Sequence, residues 1–341
     1  MPARRDLVRE LEEVAGRDAV LPPAACERYA GDLSTASREP ADVVVRPADA
    51  AAVARVLAVA SRRRVPVVPM GGLSGLAGGA NPRGGGIALS LELLDRIDLV
   101  DRDNLRVQAG AGARVAAVQA SALAAGLFYP PDPASLEISK IGGNVATNAG
   151  GPRCFKYGVT AEYVLALQAV TPDGRIFRTG PATRKNAAGL RLGQLLVGSE
   201  GTLAVVTEAT LRLVVAPQTR LAVTASFPTI ERAGQAVAET VRGGLVPSAL
   251  ELLDAACLEL IRAQLEGVRV AEGAALLLVE VDGSDEARVR SELRLAECLL
   301  RKAGAAGVEL ATDEKEVEQL WEARRSLSTA FARAAPNSWG S

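Results

Sequence analysis

Not one histidine occurs among the 341 residues of this chain. That absence removes the usual general base near neutral pH together with the commonest metal ligand. Aromatic residues make up only 3%, too few to build stacking platforms for nucleobases. Charge of either sign is not in excess: 39 basic side chains stand against 40 acidic ones, for a net charge of −1. There is thus neither a basic field for nucleic acid nor an acidic tail. Cys26, Cys154, Cys257 and Cys298 are far apart and form no Cys-x-x-Cys pair. That argues against a zinc site, an iron–sulfur cluster or a disulfide framework, and fits a reducing, intracellular compartment. No run reaches the roughly 18 uninterrupted apolar residues of a membrane span. The N-terminus, Met1–Gly16, carries Leu7, Val8, Leu11 and Val14 at helical spacing but lacks the apolar core of a signal peptide. The chain reads as soluble or at most peripheral.

What is plentiful is small and apolar. An apolar share of 48% is ample for globular cores, and the length suggests two or three domains. Glycine is gathered into particular loops. In Ile138–Gly151, Gly142, Gly143, Gly150 and Gly151 surround Asn144, Thr147 and Asn148, and Lys140 carries the one charge. Ordering glycine costs entropy, so this stretch predicts bare N–H groups offered to an anion or a flat polar ring. A mobile linker is the other reading, and Val145, Thr147 and the asparagines make a poor linker.

Upstream, Val43–Val45 reads as a strand, Pro47–Arg64 as a helix and Val65–Pro69 as a second strand, a βαβ unit. It delivers the chain into Pro69–Ala80, a loop with five glycines. No Gly-Lys-Ser/Thr closes that loop, so it is not a P-loop; it is either a structural turn or a phosphate-binding nest. Leu105–Gly126 imitates a dinucleotide fingerprint with Gly110-Ala111-Gly112, but Val115 replaces the third glycine. Ordinary strand-to-helix packing is the better account. Pro130, Pro131 and Pro133 then stiffen the lead into Ile138–Gly151.

Tyr163–Pro172 reads as a strand turned by Asp173-Gly174 into Arg175–Thr179. A helix is expected from Lys185 through Leu196, followed by Gly198-Ser199-Glu200-Gly201-Thr202-Leu203. There Glu200 is either a cap or a ribose and ring contact. Beyond Pro217 a second domain begins. Strands are expected at 221–227, 248–253, 274–281 and 308–312, with helices at 229–242, 254–266, 285–303 and 313–333.

Six pieces occur in one order: Pro69–Ala80, Pro130–Ser135, Ile141–Gly151, Lys156-Tyr157-Gly158, Thr171–Gly174 and Gly198–Leu203. Together they resemble the FAD-linked oxidases with a PCMH-type (vanillyl-alcohol-oxidase-like) flavin domain. Within that family the chain resembles the FAD-linked subunit of glycolate oxidase and the related D-lactate and D-2-hydroxyglutarate dehydrogenases, over roughly residues 25 to 330. The resemblance implies an α+β fold. An N-terminal helical segment (1–40) would precede a two-subdomain FAD-binding domain (41–217) and a partial, incomplete α/β substrate or cap domain (218–341).

It also implies roles. Gly71, Gly72, Ser74, Gly75 and Leu76 would hold the FAD pyrophosphate. Pro131, Asp132, Gly142, Gly143, Asn144, Thr147, Asn148, Gly151 and Gly158 would line the adenosine, phosphate and flavin contacts, with Glu200, Gly201 and Val206 near the adenine or ring. Without histidine the tether through that residue is excluded, and FAD would be non-covalent. Arg324, in Leu320-Trp321-Glu322-Ala323-Arg324, would bind a substrate carboxylate through its planar fork, the alternative being a solvated helix arginine. No metal site is implied by this chain. Two departures mark it: Leu73 and Ser74-Gly75 stand where the family usually has glycine and Thr-Ser, and Lys140 where it has a small or hydroxyl residue.

The implied reaction is oxidation of a D-2-hydroxy acid, glycolate or D-lactate, by hydride transfer to flavin N5. Electrons would pass to a partner carrier: an iron–sulfur subunit, a quinone or an electron-transfer flavoprotein. The implied location is the cytoplasm or the periphery of the inner membrane. The resemblance further implies a histidine-containing continuation past Ser341 that supplies metal ligands and the base. On this chain only Lys140, Lys156, Tyr157 and Glu200 stand near as candidates for that proton. The alternative is a truncated, FAD-binding protein without turnover, or a subunit completed by another chain.

Overall fold

Two compact units are present in the computed structural model, which describes residues 2–22, 25–34, 36–37, 39–261 and 274–334. One is Met1–Ala149 with Val159–Val215; the other is Gly150–Gly158 with Ala216–Ser341.

The first unit opens with α1 (Pro2–Ala15), β1 (Val20–Leu21), β2 (Val43–Val45), α2 (Ala50–Arg63), β3 (Val67–Met70) and β4 (Ile87–Ser90). The helical spacing of α1 has a packing cause, since Leu7 and Leu11 are buried in the same core as Val53, Val56, Leu57 and Ala60 of α2. Asp49 caps α2 by accepting the Ala52 N–H, and Arg64 ends it in the left-handed region at φ 56°. The sheet runs β1-β2-β4-β3, with β2, β4 and β3 mutually parallel. The β2–α2–β3 crossover expected from the sequence is therefore present, but β4 lies between its strands.

Next come β5 (Arg106–Gly110), α3 (Val115–Ala124), β6 (Leu127–Phe128), α4 (Ile141–Thr147), then α5 (Cys154–Tyr157), which belongs to the second unit, and, back in the first, β7 (Val164–Val170), β8 (Ile176–Thr179), α6 (Leu192–Leu196), β9 (Val205–Arg212) and β10 (Val214–Val215). Strands β5-β9-β7-β8 form a second, antiparallel sheet, and β6 pairs with β10. The Gly-x-Gly at 110–112 is a packing feature. A Cβ at Gly110 would stand 2.0 Å from the Leu94 carbonyl oxygen, and one at Gly112 would stand 2.2 Å from that of Leu91.

The helix expected from Lys185 shrinks to α6. Asn186 Oδ1 accepts the Ala188 N–H at 3.1 Å, forming an Asx turn, and Gly189 sits at φ +76°, so the chain cannot coil before Leu192. The stretch from Ile138 holds neither a linker nor a plain loop, because its centre is the short helix α4.

The second unit contains β11 (Thr219–Phe227), α7 (Ile230–Arg242), β12 (Ala249–Asp254), α8 (Ala255–Leu260), β13 (Ala275–Gly283), α9 (Glu286–Lys302), β14 (Gly307–Ala311) and α10 (Glu314–Ala334). The rest of the helix expected at 254–266 lies outside the described residues. Strand and helix alternate as the pattern suggests, and the sheet β12-β13-β11-β14 is antiparallel throughout. One face packs Val223, Ala225, Leu277 and Val279 against Ala236 of α7 and Leu293 of α9. The other packs Ala222 and Leu278 against Val317, Leu320 and Trp321 of α10. Covered on both faces, β13 buries even Glu280 and Asp282.

Candidate cofactor cleft

Two glycine turns meet in the first unit. The loop after β3 approaches the N-terminal turn of α4 so closely that a Cβ at Gly71 would stand 3.4 Å from the Gly143 nitrogen, and one at Gly72 would stand 2.2 Å from the Ile138 oxygen. The second glycine is therefore obligatory for packing. Between these turns and residues 198–202 lies a cleft of about 490 Å³, beside a narrow arm of about 60 Å³ that shares Pro69, Gly71, Gly143, Ala146 and Glu200 with its lining. That is the size range of small-molecule sites.

Most of the residues expected at a site come together here. Gly71, Gly72, Ser74, Gly75, Leu76, Gly143, Asn144, Thr147 and Glu200 line the cleft; Gly142, Gly201 and Val206 line the arm. Others do not line it, each for a local reason. Asn148 ends α4 at φ 50° and spends its Oδ1 on the Ala161 N–H at 2.9 Å. The Pro131 carbonyl accepts from Gln119 Nε2 at 2.9 Å. In place of Pro131 and Asp132, the proline-rich lead presents Pro133 and Ser135. Gly151 and Gly158 pack with the second unit.

The bare N–H groups expected along Ile138–Gly151 are partly spent. Those of Ile141 and Gly142 donate to the Ala113 and Ala111 carbonyls at 2.9 and 2.8 Å, anchoring α4 on the turn after β5. Gly142 has no room for a side chain, since its Cβ would meet that of Ala111 at 2.7 Å. Gly143 is different: a Cβ there would meet nothing within 4 Å. Beside it Asn144 is buried, and its Nδ2 has no hydrogen-bond partner among the described residues. A buried amide left unpaired costs about 1–3 kcal/mol, which an acceptor in the cleft would recover.

Three charged side chains also line the cleft: Lys140, Asp32 and Glu200. Burial pushes the Lys140 ammonium below its ordinary range, and nearby Arg114 adds to this against the pull of Asp95 and Glu92. Glu200 sits at φ 52°, and its N–H donates to the Ala146 carbonyl at 2.9 Å. It is thus both a turn residue clamped onto α4 and a carboxylate in the cleft. Asp32 was not foreseen, because Gly-Asp-Leu-Ser at 31–34 carries only turn composition and no periodicity. Its N–H donates to Asn81 Oδ1 at 2.7 Å, and the Leu33 N–H donates to the Gly75 carbonyl at 3.0 Å, fixing this segment against the glycine loop.

Residues 41–180 match the family of the FAD binding domain, and residues 216–339 match that of FAD linked oxidases, C-terminal domain. The chain is 38% identical over 318 residues to D-lactate dehydrogenase of Archaeoglobus fulgidus, covering 92% of this chain and 70% of that protein. It belongs to the FAD-linked oxidases. It is also 38% identical over 308 residues to glycolate oxidase subunit GlcD of Bacillus subtilis (strain 168), covering 90% of this chain and 65% of that one. The chain thus spans about two thirds of the length of these curated relatives. Its fold is that of p-cresol methylhydroxylase, with a TM-score of 0.78 at 15% identity over 96% of this chain and 70% of that one.

The cleft of this FAD-linked oxidase fits the cofactor on its own terms. An unpaired buried amide and a lysine offer donors to phosphate oxygens, two carboxylates can accept from ribose and ribityl hydroxyls, and Gly143 leaves room against the backbone.

In the second unit, Arg324 lies on α10 and donates from Nε to Glu251 Oε2 of β12 at 2.6 Å. No ion pair or hydrogen bond of its Nη groups is present among the described residues. Asp282, buried on β13, holds the two candidates for proton transfer in that unit: Lys156 Nζ, which also donates to the Asp282 carbonyl at 2.6 Å, and Tyr157 OH, which donates to Oδ2 at 2.7 Å.

Proposed function

We propose that this chain binds FAD non-covalently in the cleft and oxidises a D-2-hydroxy acid of the glycolate or D-lactate type to the 2-oxo acid, passing electrons to a partner carrier. The observation that supports it most is the unpaired Asn144 amide beside the open face of Gly143, inside a segment of FAD-binding-domain sequence.

When bound, FAD supplies the hydride acceptor. The chain's own residues bind and orient. Lys140 and Asn144 would hold the diphosphate, and Glu200 and Asp32 would accept from hydroxyls. Arg324 would take the substrate carboxylate through its Nη groups, with Glu251 fixing the plane of the guanidinium from Nε. The substrates named for the glycolate oxidase subunit and the D-lactate dehydrogenase relatives support the hydroxy-acid class. Among the described residues no helix is long and apolar enough to cross a membrane.

The test is anaerobic reduction. Protein reconstituted with FAD should be yellow and should bleach on addition of D-lactate or glycolate. Yellow protein that neither acid bleaches would favour flavin binding without turnover, with the active site completed by another chain. Colourless protein would reject both readings.

A further inference from the structure

A second pocket, of about 340 Å³, opens in the first unit between β8, α6 and the end of β9. It shares no lining residue with the cofactor cleft. Arg184, Arg191 and Arg212 line it, with Glu162 as the one acid. Among the described residues none of the three arginines has an ion pair; Arg212 lies over the Tyr163 ring, 5.9 Å from its centroid.

Two residues that line this pocket carry a buried donor with no hydrogen-bond partner among the described residues: Arg212 Nε and Thr179 Oγ1, the threonine being only 6% exposed. Glycine leaves room beside that hydroxyl, for a Cβ at Gly193 would stand 2.7 Å from Thr179 Oγ1. Buried donors without acceptors are costly, and guanidinium forks match the two-oxygen edge of a carboxylate or phosphate. Three guanidinium groups against one carboxylate disfavour a cation and favour an anion.

We propose that this pocket is a second ligand site that takes a small oxyanion, carboxylate or phosphate, with Arg212 and Thr179 as its buried donors and Arg184 and Arg191 as its outer charges. The site is joined to the cofactor cleft through the chain. Helix α6 leads by Val197 into the turn where the Gly198 and Glu200 N–H groups bond to the Val145 and Ala146 carbonyls of α4. An anion seated at α6 would steady that turn.

The experiment is thermal unfolding of the full chain as purified, titrated in separate arms with inorganic phosphate and with citrate, at ionic strength held constant with sodium chloride. The expected result is a saturable rise in melting temperature with phosphate or citrate, and the responding arm identifies the anion class. In Arg191→Gln and in Gly193→Ala the midpoint of that response should weaken roughly tenfold, the loss expected for one hydrogen bond to a charged group. Both variants should keep the wild-type flavin content. Arg191 is exposed, so its variant decides if Gly193→Ala lowers the melting temperature by itself. No saturable response to either anion would overturn the proposal. So would a response equal in wild type and Arg191→Gln, or one abolished by excess FAD, which would place the anion in the cofactor cleft.

Discussion

Gly72 lies beneath the carbonyl of Ile138, where a Cβ would stand 2.2 Å from the oxygen, while Gly143, on the same pair of facing turns, opens onto empty space. The two glycines thus serve different ends, and alanine separates them. Gly72→Ala should destabilise the fold by roughly 1–3 kcal/mol, because backbone must shift to admit the methyl group. Gly143→Ala should leave the melting temperature of the FAD-free protein equal or higher, since alanine favours the helix by about 1 kcal/mol. It should nevertheless reduce FAD retention, because the methyl group fills the cofactor's side. Thermal unfolding and flavin absorbance on the same samples check both outcomes.

Glu92 is held by three donors: Tyr29 OH at 2.6 Å, Arg28 at 3.0 Å and Arg46 at 3.2 Å. Burial pushes its carboxyl up, but the Tyr29 and Arg46 hydrogen bonds and the charges of Arg28 and Arg46 outweigh that and leave it below the ordinary value of 4.5. A carboxyl depressed in the folded state contributes stability above its unfolded pKa and loses it as pH falls through the folded one. Glu92→Gln should therefore be less stable than wild type at pH 7, by about 1–3 kcal/mol. The gap should close as pH drops below 4.5. Unfolding midpoints measured across that range test the sign.

Glu280, wholly buried on β13, accepts from Ser248 Oγ at 2.8 Å and Trp321 Nε1 at 2.6 Å, with Arg220 at 3.8 Å. Its removal strands an indole N–H, a hydroxyl and a guanidinium. Glu280→Ala should cost about 3–5 kcal/mol. Glu280→Gln keeps one acceptor oxygen and should cost less. Urea unfolding followed by tryptophan fluorescence measures both.

Arg324→Ala should raise the hydroxy-acid concentration needed for flavin reduction roughly tenfold or more, the worth of a hydrogen-bonded charge, and leave FAD content unchanged. Glu251→Gln keeps the guanidinium but loosens its Nε anchor, so its effect should be in the same direction and smaller. An unchanged substrate response in Arg324→Ala would remove that residue from the site.

The sequence was informative where residue type and geometry are tied locally. Apolar runs marked β11 and β13, helical spacing marked α1, and glycine clusters marked both turns of the cleft. It was silent where the decisive partner lies far along the chain. Nothing at Gly72 announces Ile138, and nothing in residues 31–34 announces that Asp32 bonds to Asn81 and Leu33 to Gly75. Composition also hid that β4 enters between β2 and β3, because parallel neighbours are chosen by packing rather than by local pattern. The pocket of Arg184, Arg191 and Arg212 was equally hidden, since its arginines come from a turn, a helix cap and a distant strand.

The most direct test of the account is the absorption spectrum of the chain after reconstitution with FAD and removal of free cofactor, for wild type beside Gly143→Ala. The expected result is a flavin band at about one equivalent in the wild type that acid or heat releases as free FAD, and a clearly lower content in the variant. A wild-type protein that retains its fold and holds no flavin would contradict it.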